Sequence, residues 1–157
     1  MVFLPNTAPE SLLFLLQTQI QTLQPMLECV ETVATPQTNT KVLYLRSFAR
    51  GPVASRDFIV RQTTARSSSG ILTLTSEPST SIHKPSPPSV IRASVWSRWT
   101  LTPRGTLGTD VEFDVKLCMN GWIPNVVNTI LAQTEAQMPL RLAEMADKPK
   151  SAQPPTP

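Results

Sequence analysis

Residues 109–124 read Thr109-Asp110-Val111-Glu112-Phe113-Asp114-Val115-Lys116-Leu117-Cys118-Met119-Asn120-Gly121-Trp122-Ile123-Pro124. Val111, Phe113, Val115, Leu117 and Met119 alternate with Glu112, Asp114, Lys116, Cys118 and Asn120. Period two with one wet face is the mark of a strand in an antiparallel sheet that is covered on one side. At Pro124 the period changes. Proline suits a first helical turn, and Val127, Leu131, Thr134, Met138, Leu142 and Met145 then recur three or four residues apart. That spacing predicts one long C-terminal helix with an apolar stripe, kinked at Pro139. The apolar strand face and the apolar stripe have to be buried, and each is the other's nearest cover. The fold class is therefore α+β, an antiparallel sheet with a long helix at its end.

Upstream segments fill in that sheet. Strands are expected at 26–34, 40–48, 56–66, 70–76, 89–101 and 109–119, about six in all. In the fifth, Ile91, Ala93, Val95, Trp99 and Leu101 share one side, and Arg92, Ser94, Trp96 and Arg98 the other. Pro36-Gln37-Thr38-Asn39 and Ser67-Ser68-Ser69-Gly70 read as hairpin turns, and the Pro/Ser-rich stretch 76–89 as a long surface loop. Before the sheet, Thr7-Ala8-Pro9-Glu10 matches a capping box. Leu12, Leu16, Ile20 and Leu23 form one helical face that Pro25 ends. The polar, proline-rich stretch 147–157 reads as a disordered tail.

Composition limits the chemistry. The chain has 157 residues, enough for one domain with one sizeable core. Only 16% are charged, against roughly 25% in an average globular protein. With 5 glycines and no G-x-G-x-x-G or Walker motif, glycine-loop nucleotide folds are excluded. Two cysteines, Cys29 and Cys118, make neither a disulfide framework nor a four-cysteine zinc site, and both are expected as buried or half-buried thiols. The single histidine, His83, leaves no basis for a histidine metal centre. No metal and no cofactor is expected. The longest apolar run, Leu12–Leu16, is far short of the roughly 20 residues of a membrane span.

The net charge of +3 is unevenly spread. Residues 1–40 hold three acids and no Lys or Arg, while 41–66 hold Lys41, Arg46, Arg50, Arg56, Arg61 and Arg66 against Asp57 alone. Such a basic middle suits an anionic membrane surface. It also suits alternating arginines on solvated strands. Nucleic acid is not expected, because Tyr44, Phe48 and Phe58 are too few for stacking platforms.

Three motifs in order resemble the steroidogenic acute regulatory protein-related lipid transfer (START) family. Ser55-Arg56-Asp57-Phe58-Ile59-Val60 is similar to the family's P-R-D-F-V strand opening. Val90-Ile91-Arg92-Ala93, followed by Trp99-Thr100-Leu101-Thr102-Pro103, is similar to its V-I-R-A strand and the proline turn after it. Asn120-Gly121-Trp122-Ile123-Pro124 is similar to the G-W-I-P lead into its last helix. The resemblance covers residues 8–146 and implies a helix-grip fold, a curved antiparallel sheet wrapped on the C-terminal helix. It implies one lipid held between sheet and helix (a sterol, a phospholipid or a sphingolipid such as ceramide), carried without catalysis. The expected setting is cytoplasmic, with transient visits to membranes.

The resemblance places Trp122 and Pro124 at the turn into the gripping helix. It also places Arg56 and Asp57 after a lid loop, Ser47–Ser55. Family domains begin with a further helix and three strands, so one tunnel wall is expected to be absent. Strand 109–119 is then a bare edge suited to self-association. The family's acid on the strand equivalent to 40–48 has no counterpart, although Arg61 or Gln62 lies on the next strand.

Candidate lipid contacts follow from these placements. Val95, Trp99, Phe113 and Val115 represent the apolar strand faces, and Val127, Leu131 and Met138 the helix stripe. Thr134, the polar member of that stripe, is placed to hydrogen-bond a ligand hydroxyl. Arg61 is the candidate basic group. Arg56 and Asp57 would either touch a headgroup or pair with each other to fix the strand start. Asp110, Glu112 and Asp114 share a face that reads as a cation site or as a solvated surface. Serines in 67–89 near Lys84 are candidates for phosphorylation. Two alternatives stand beside lipid transfer. One is a partial domain that binds a partner and no ligand. The other is a helix-grip enzyme, for which the sequence offers only Thr134, Arg61, Tyr44 and a few serines.

Overall fold

The computed structural model describes residues 1–148. Eight strands form one sheet: β1 (Val2–Pro5), β2 (Leu27–Gln37), β3 (Thr40–Ser47), β4 (Arg56–Arg66), β5 (Leu72–Pro78), β6 (Ile91–Arg92), β7 (Ser94–Pro103) and β8 (Gly108–Cys118). The order across the sheet is β1-β8-β7-β5-β4-β3-β2, antiparallel throughout, with the short β6 parallel to the start of β4. Helices α1 (Pro9–Thr18) and α2 (Ile20–Leu23) follow β1, and α3 (Asn125–Ala136) and α4 (Met138–Asp147) follow β8. This is the expected α+β helix-grip arrangement.

Two strands exceed the expected six. The segment expected as one strand over 89–101 breaks at Ala93, whose N–H turns to the carbonyl of Asp57. More consequential is β1, which no periodicity announces. Its four residues pair with Gly108–Val111, and Leu4 is buried. Pro5 lacks an N–H and is tolerated because β1 is an edge. Gly108 is required opposite it, since a Cβ there would lie 2.1 Å from the Leu4 carbonyl oxygen. Strand 109–119 is therefore not bare along its length, as expected, but half covered. Beyond Val111 its outer edge, Glu112–Cys118, has no strand partner among the described residues.

Docking of β1 also displaces the expected capping box. Thr109 Oγ1 donates to the Thr7 carbonyl, so the helix starts one residue later, with Ala8 as N-cap and Pro9 in the first turn. Thr7 Oγ1 donates instead to the Pro5 carbonyl, and Glu10 pairs with Arg66 at 2.6 Å.

The C-terminal segment is two helices, not one kinked helix. Pro139 supplies no N–H to the helical ladder, and the chain breaks at Gln137. Helix α4 packs on α1, β8 and β1, with Met138 and Leu142 in a core that includes Leu12, Leu16, Trp99 and Leu101. Helix α3 stands off from the sheet. Of its stripe only Leu131 is buried; Val127 and Thr134 are half-buried.

The other half of the sheet is covered on its outer face. Val42, Tyr44 and Ile59 are buried there beneath the loop 79–90, which contributes Ile82. The expected surface loop is thus a strap. Asp57, fully buried, accepts from Arg92 Nε at 2.8 Å and from Ser86 Oγ at 2.9 Å, while Arg92 Nη2 donates to the Lys84 carbonyl. Lys84 in turn pairs with Glu31 at 2.8 Å and lies 4.4 Å from the Tyr44 ring centre. Cys118 is exposed, contrary to expectation, because it points to the wet side of β8; Cys29 is half-buried. The expected tail, 147–157, lies outside the described residues from 149 onward.

Candidate functional site

Between the inner face of the sheet and the helices lies a cavity of about 130 Å³. Alternation along the strands aims the same apolar side chains at it that the sequence marked. Phe58 and Val60 come from β4, Val95 and Trp99 from β7, and Phe113, Val115 and Leu117 from β8. The helices add Leu16, Leu131, Thr134 and Met138. Trp99 stacks on Phe113 with ring centres 4.2 Å apart, forming part of the floor.

The cavity continues sideways. A cleft of about 840 Å³ lies between the free edge of β8 and α3. Phe113, Val115, Leu117, Met119, Leu131 and Glu135 border both spaces. Because α3 stands off from the sheet and the pairing of β1 with β8 ends at Val111, the interior opens along this edge.

Seven expected contacts line the cavity: Val95, Trp99, Phe113, Val115, Leu131, Thr134 and Met138. Four do not. Arg61 is exposed, because its neighbour Gln62 takes the inward position on β4. Val127, half-buried on α3, does not line the cavity. Asp57 faces the outer side, held by the strap.

Arg56 is buried, and it makes no pair with Asp57. Its guanidinium donates to the carbonyls of Met119 at 3.1 Å, Asn120 at 2.8 Å, Trp122 at 3.4 Å and Ala54. It clamps the chain where β8 leaves for α3. Asn120 and Gly121 both have positive φ there, and a Cβ on Gly121 would come within 2.8 Å of Ile91 Cδ1. The R-D and G-W-I-P motifs are two halves of one contact.

The electrostatics are sparse. Burial pushes the Glu135 carboxyl above its ordinary value, and Arg141 across the cavity partly opposes this. Burial raises the Asp57 carboxyl too, but its bonds to Arg92 and Ser86 outweigh that and leave it below its ordinary value. Tyr44, whose buried hydroxyl has no hydrogen-bond partner among the described residues, is raised by burial and by Asp57. On β8, Asp110 is taken by Arg104, so the three acids form no joint site. Among the described residues no cluster of three acids, histidines or cysteines is arranged for a metal ion.

Of the six cations in 41–66, Arg46 pairs with Glu28, Arg66 with Glu10, and Arg56 is buried. Lys41, Arg50 and Arg61 make no ion pair among the described residues. Gln62, the alternative to Arg61, lines the cavity with Ser76, Ser97, Glu135 and Arg141, and of these five sequence reasoning missed the last four. The first three were legible as polar residues at inward positions of otherwise apolar strands.

An antiparallel sheet gripping C-terminal helices around an apolar cavity is the helix-grip arrangement. Comparison with solved structures shows the same fold. The human StarD13 lipid transfer and protein localization domain superposes with a TM-score of 0.79 at 18% identity, covering 94% of this chain and 75% of that one. Human StAR-related lipid transfer protein 5 gives 0.79 at 12% identity, over 93% of this chain and 73% of that one. A STAR-related lipid transfer protein from Xanthomonas axonopodis gives 0.77 at 21% identity, over 94% and 83%. No family model matches the sequence, and no curated protein matches it. Among the described residues, no helix is long and apolar enough to cross a membrane.

Proposed function

We propose that the chain binds a single lipid between the sheet and the C-terminal helices and carries it without catalysis. The observation behind this reading is the apolar cavity that opens into the β8–α3 cleft. The cavity alone is close to the roughly 150 Å³ of an engineered core cavity that admits benzene. A sterol, phospholipid or ceramide therefore needs the cleft as well. Enclosing about 400 Å² of apolar ligand surface contributes on the order of 10 kcal/mol before the entropic cost of association. Catalysis has little to work with, since His83 lies on the strap and not at the cavity.

Membrane contact belongs to the same reading. Phe48 on the loop 48–55 is exposed, as are Trp122 and Val126 at the start of α3. Arg56 joins the two regions through the carbonyls of Ala54 and Trp122. Arg50 adds a cation to this rim for anionic headgroups.

The test is native mass spectrometry of the purified chain with solvent extraction of what it carries. A one-to-one lipid adduct supports the reading. A lipid-free dimer supports a second one, in which the unpaired edge Glu112–Cys118 joins two copies and the domain acts as an interaction module.

A further inference from the structure

Gln62, Ser76 and Ser97 lie side by side across the floor of the cavity. Gln62 is the register partner of Ser76, and Ser76 of Ser97, on the neighbouring strands β4, β5 and β7. Strands in a sheet are about 4.8 Å apart, so the row spans roughly 10 Å on one face. All three side chains border the cavity. Apolar levels flank the row on either side. Leu74, Trp99 and Phe113 lie on one side, and Val60, Val95 and Leu117 on the other.

The row is polar where packing favours apolar residues. Gln62 is only 9% exposed. Side-chain hydrogen bonds on β4 belong to Arg56, Asp57, Thr64 and Arg66. Gln62, Ser76 and Ser97 make none among the described residues. Unlike the sealed Tyr44 hydroxyl, the Gln62 amide is not closed off from the cavity, and Ser76 and Ser97 are half-buried beside it, so a group bound in the cavity can partner all three.

The row also carries no charge. Among the described residues the one cation bordering the cavity, Arg141, shares it with the acid Glu135 and donates to the Leu23 carbonyl. An anionic phosphate or carboxylate would find no net positive charge to offset its loss of water. Amide and hydroxyl groups instead offer both donors and acceptors.

We propose that Gln62, Ser76 and Ser97 form a neutral hydrogen-bonding belt for the uncharged hydroxyl or amide of a mainly apolar lipid. The belt selects such lipids against those with phosphate heads. This rests on the reading of the cavity as a lipid site and narrows its ligand to a neutral class.

The test uses the full chain, incubated with phosphatidylcholine vesicles containing cholesterol, diacylglycerol, ceramide or phosphatidic acid. The repurified protein is extracted and its lipid measured, beside uptake of diphenylhexatriene, an apolar dye with no polar group. The wild type is expected to retain at least one of the three neutral lipids and to exclude both phospholipids. Which neutral lipid is kept distinguishes a sterol hydroxyl from a glyceride hydroxyl or an amide. The triple variant Gln62→Leu, Ser76→Ala, Ser97→Ala is expected to lose about tenfold or more of that retention, the effect of losing a buried hydrogen bond. It should still take up the dye. Its thermal midpoint without lipid should equal or exceed the wild type's, because unpaired polar groups have been removed.

Equal retention of neutral lipid by the variant overturns the belt while the lipid site stands. So does preference of the wild type for phospholipid, or a variant that melts earlier, which would mean the belt is bonded within the protein. A wild type that takes neither lipid nor dye overturns the lipid reading itself, and the belt with it.

Discussion

Arg56 Nη2 donates to the Asn120 carbonyl at 2.8 Å across 64 residues of sequence. With Met119 and Trp122 also accepting from the same guanidinium, one buried side chain fixes where the sheet ends and the helical segment begins. The direction in which α3 leaves β8, and hence the cleft between them, depends on this contact.

Replacing Arg56 by Met should therefore cost about 3 kcal/mol, since it leaves buried carbonyls without donors. Gly121→Ala should cost about 1–2 kcal/mol, from its positive φ and the contact with Ile91. Because both act on one turn, the double variant should lose less than the sum of the two. Chemical denaturation of the four proteins of this cycle measures it. Full additivity would mean that the two residues act separately.

Asp57 gives the fold an acid limit. Its carboxyl is held below its ordinary value of 3.8. A depressed carboxylate stabilises the native state above its unfolded value, and that contribution is lost as pH falls through the folded one. Wild-type stability should drop below about pH 4. Asp57→Asn should cost about 2 kcal/mol at pH 7, the scale of hydrogen bonds to a charged group. The gap between the two proteins should narrow on acidification below 3.8. A gap independent of pH would exclude the Arg92–Asp57 link as its source.

Much of this was legible in the sequence, and the exceptions share a cause. The alternation over 109–119 and from Val95 to Leu101 and the stripe from Leu131 to Leu142 give strand faces and helix contacts that hold, because burial imposes a period on the residues themselves. What escaped depends on pairing at a distance. β1 is four residues long, too short for a period, and is held by Gly108 and Thr109 a hundred residues away. Arg56 and Asp57, adjacent in sequence, point to opposite faces of β4, which is why the local pair expected between them does not form. The charge run over 41–66 dissolves for the same reason: Glu10 and Glu28 lie on other elements that the fold brings alongside. Between Arg61 and Gln62 the sequence favours Arg61 by charge, whereas the alternation of β4 turns Gln62 inward.

Glu135 should work in the opposite sense to Asp57. Its carboxyl is raised above the ordinary 4.5, chiefly by burial. A raised carboxyl stabilises the native state when protonated, and this contribution declines as pH rises from the unfolded value through the folded one. Glu135→Gln should therefore melt later than wild type at pH 7, and the difference should vanish below about pH 4. Thermal melts across that range measure it. A variant that melts earlier at pH 7 would show the carboxylate to be well paired.

Thr134 is half-buried on α3 and faces the cavity, while Gln133 beside it is exposed. Thr134→Phe should fill the space and abolish lipid and dye retention while changing stability by only about 1 kcal/mol. Gln133→Phe should leave retention unchanged. Loss in both would point to helix damage, and loss in neither would move the ligand out of the cavity.

The rim makes a quantitative statement about membranes. Of the basic stretch, only Lys41, Arg50 and Arg61 make no ion pair among the described residues and stay out of the core. At about 1 kcal/mol per surface cation, they supply no more than roughly 3 kcal/mol toward an anionic bilayer. Raising salt from 0.1 to 1 M shortens the screening length from about 10 to 3 Å and should remove most of that. What survives should come from Phe48 and Trp122, exposed side chains that can enter the headgroup layer. Vesicle co-sedimentation should thus fall on adding salt in the wild type and fall further in Phe48→Ser with Trp122→Ser. Arg50→Ser should reduce the salt-sensitive part alone. Association that ignores both salt and the aromatic pair would place the membrane contact on another face of the domain.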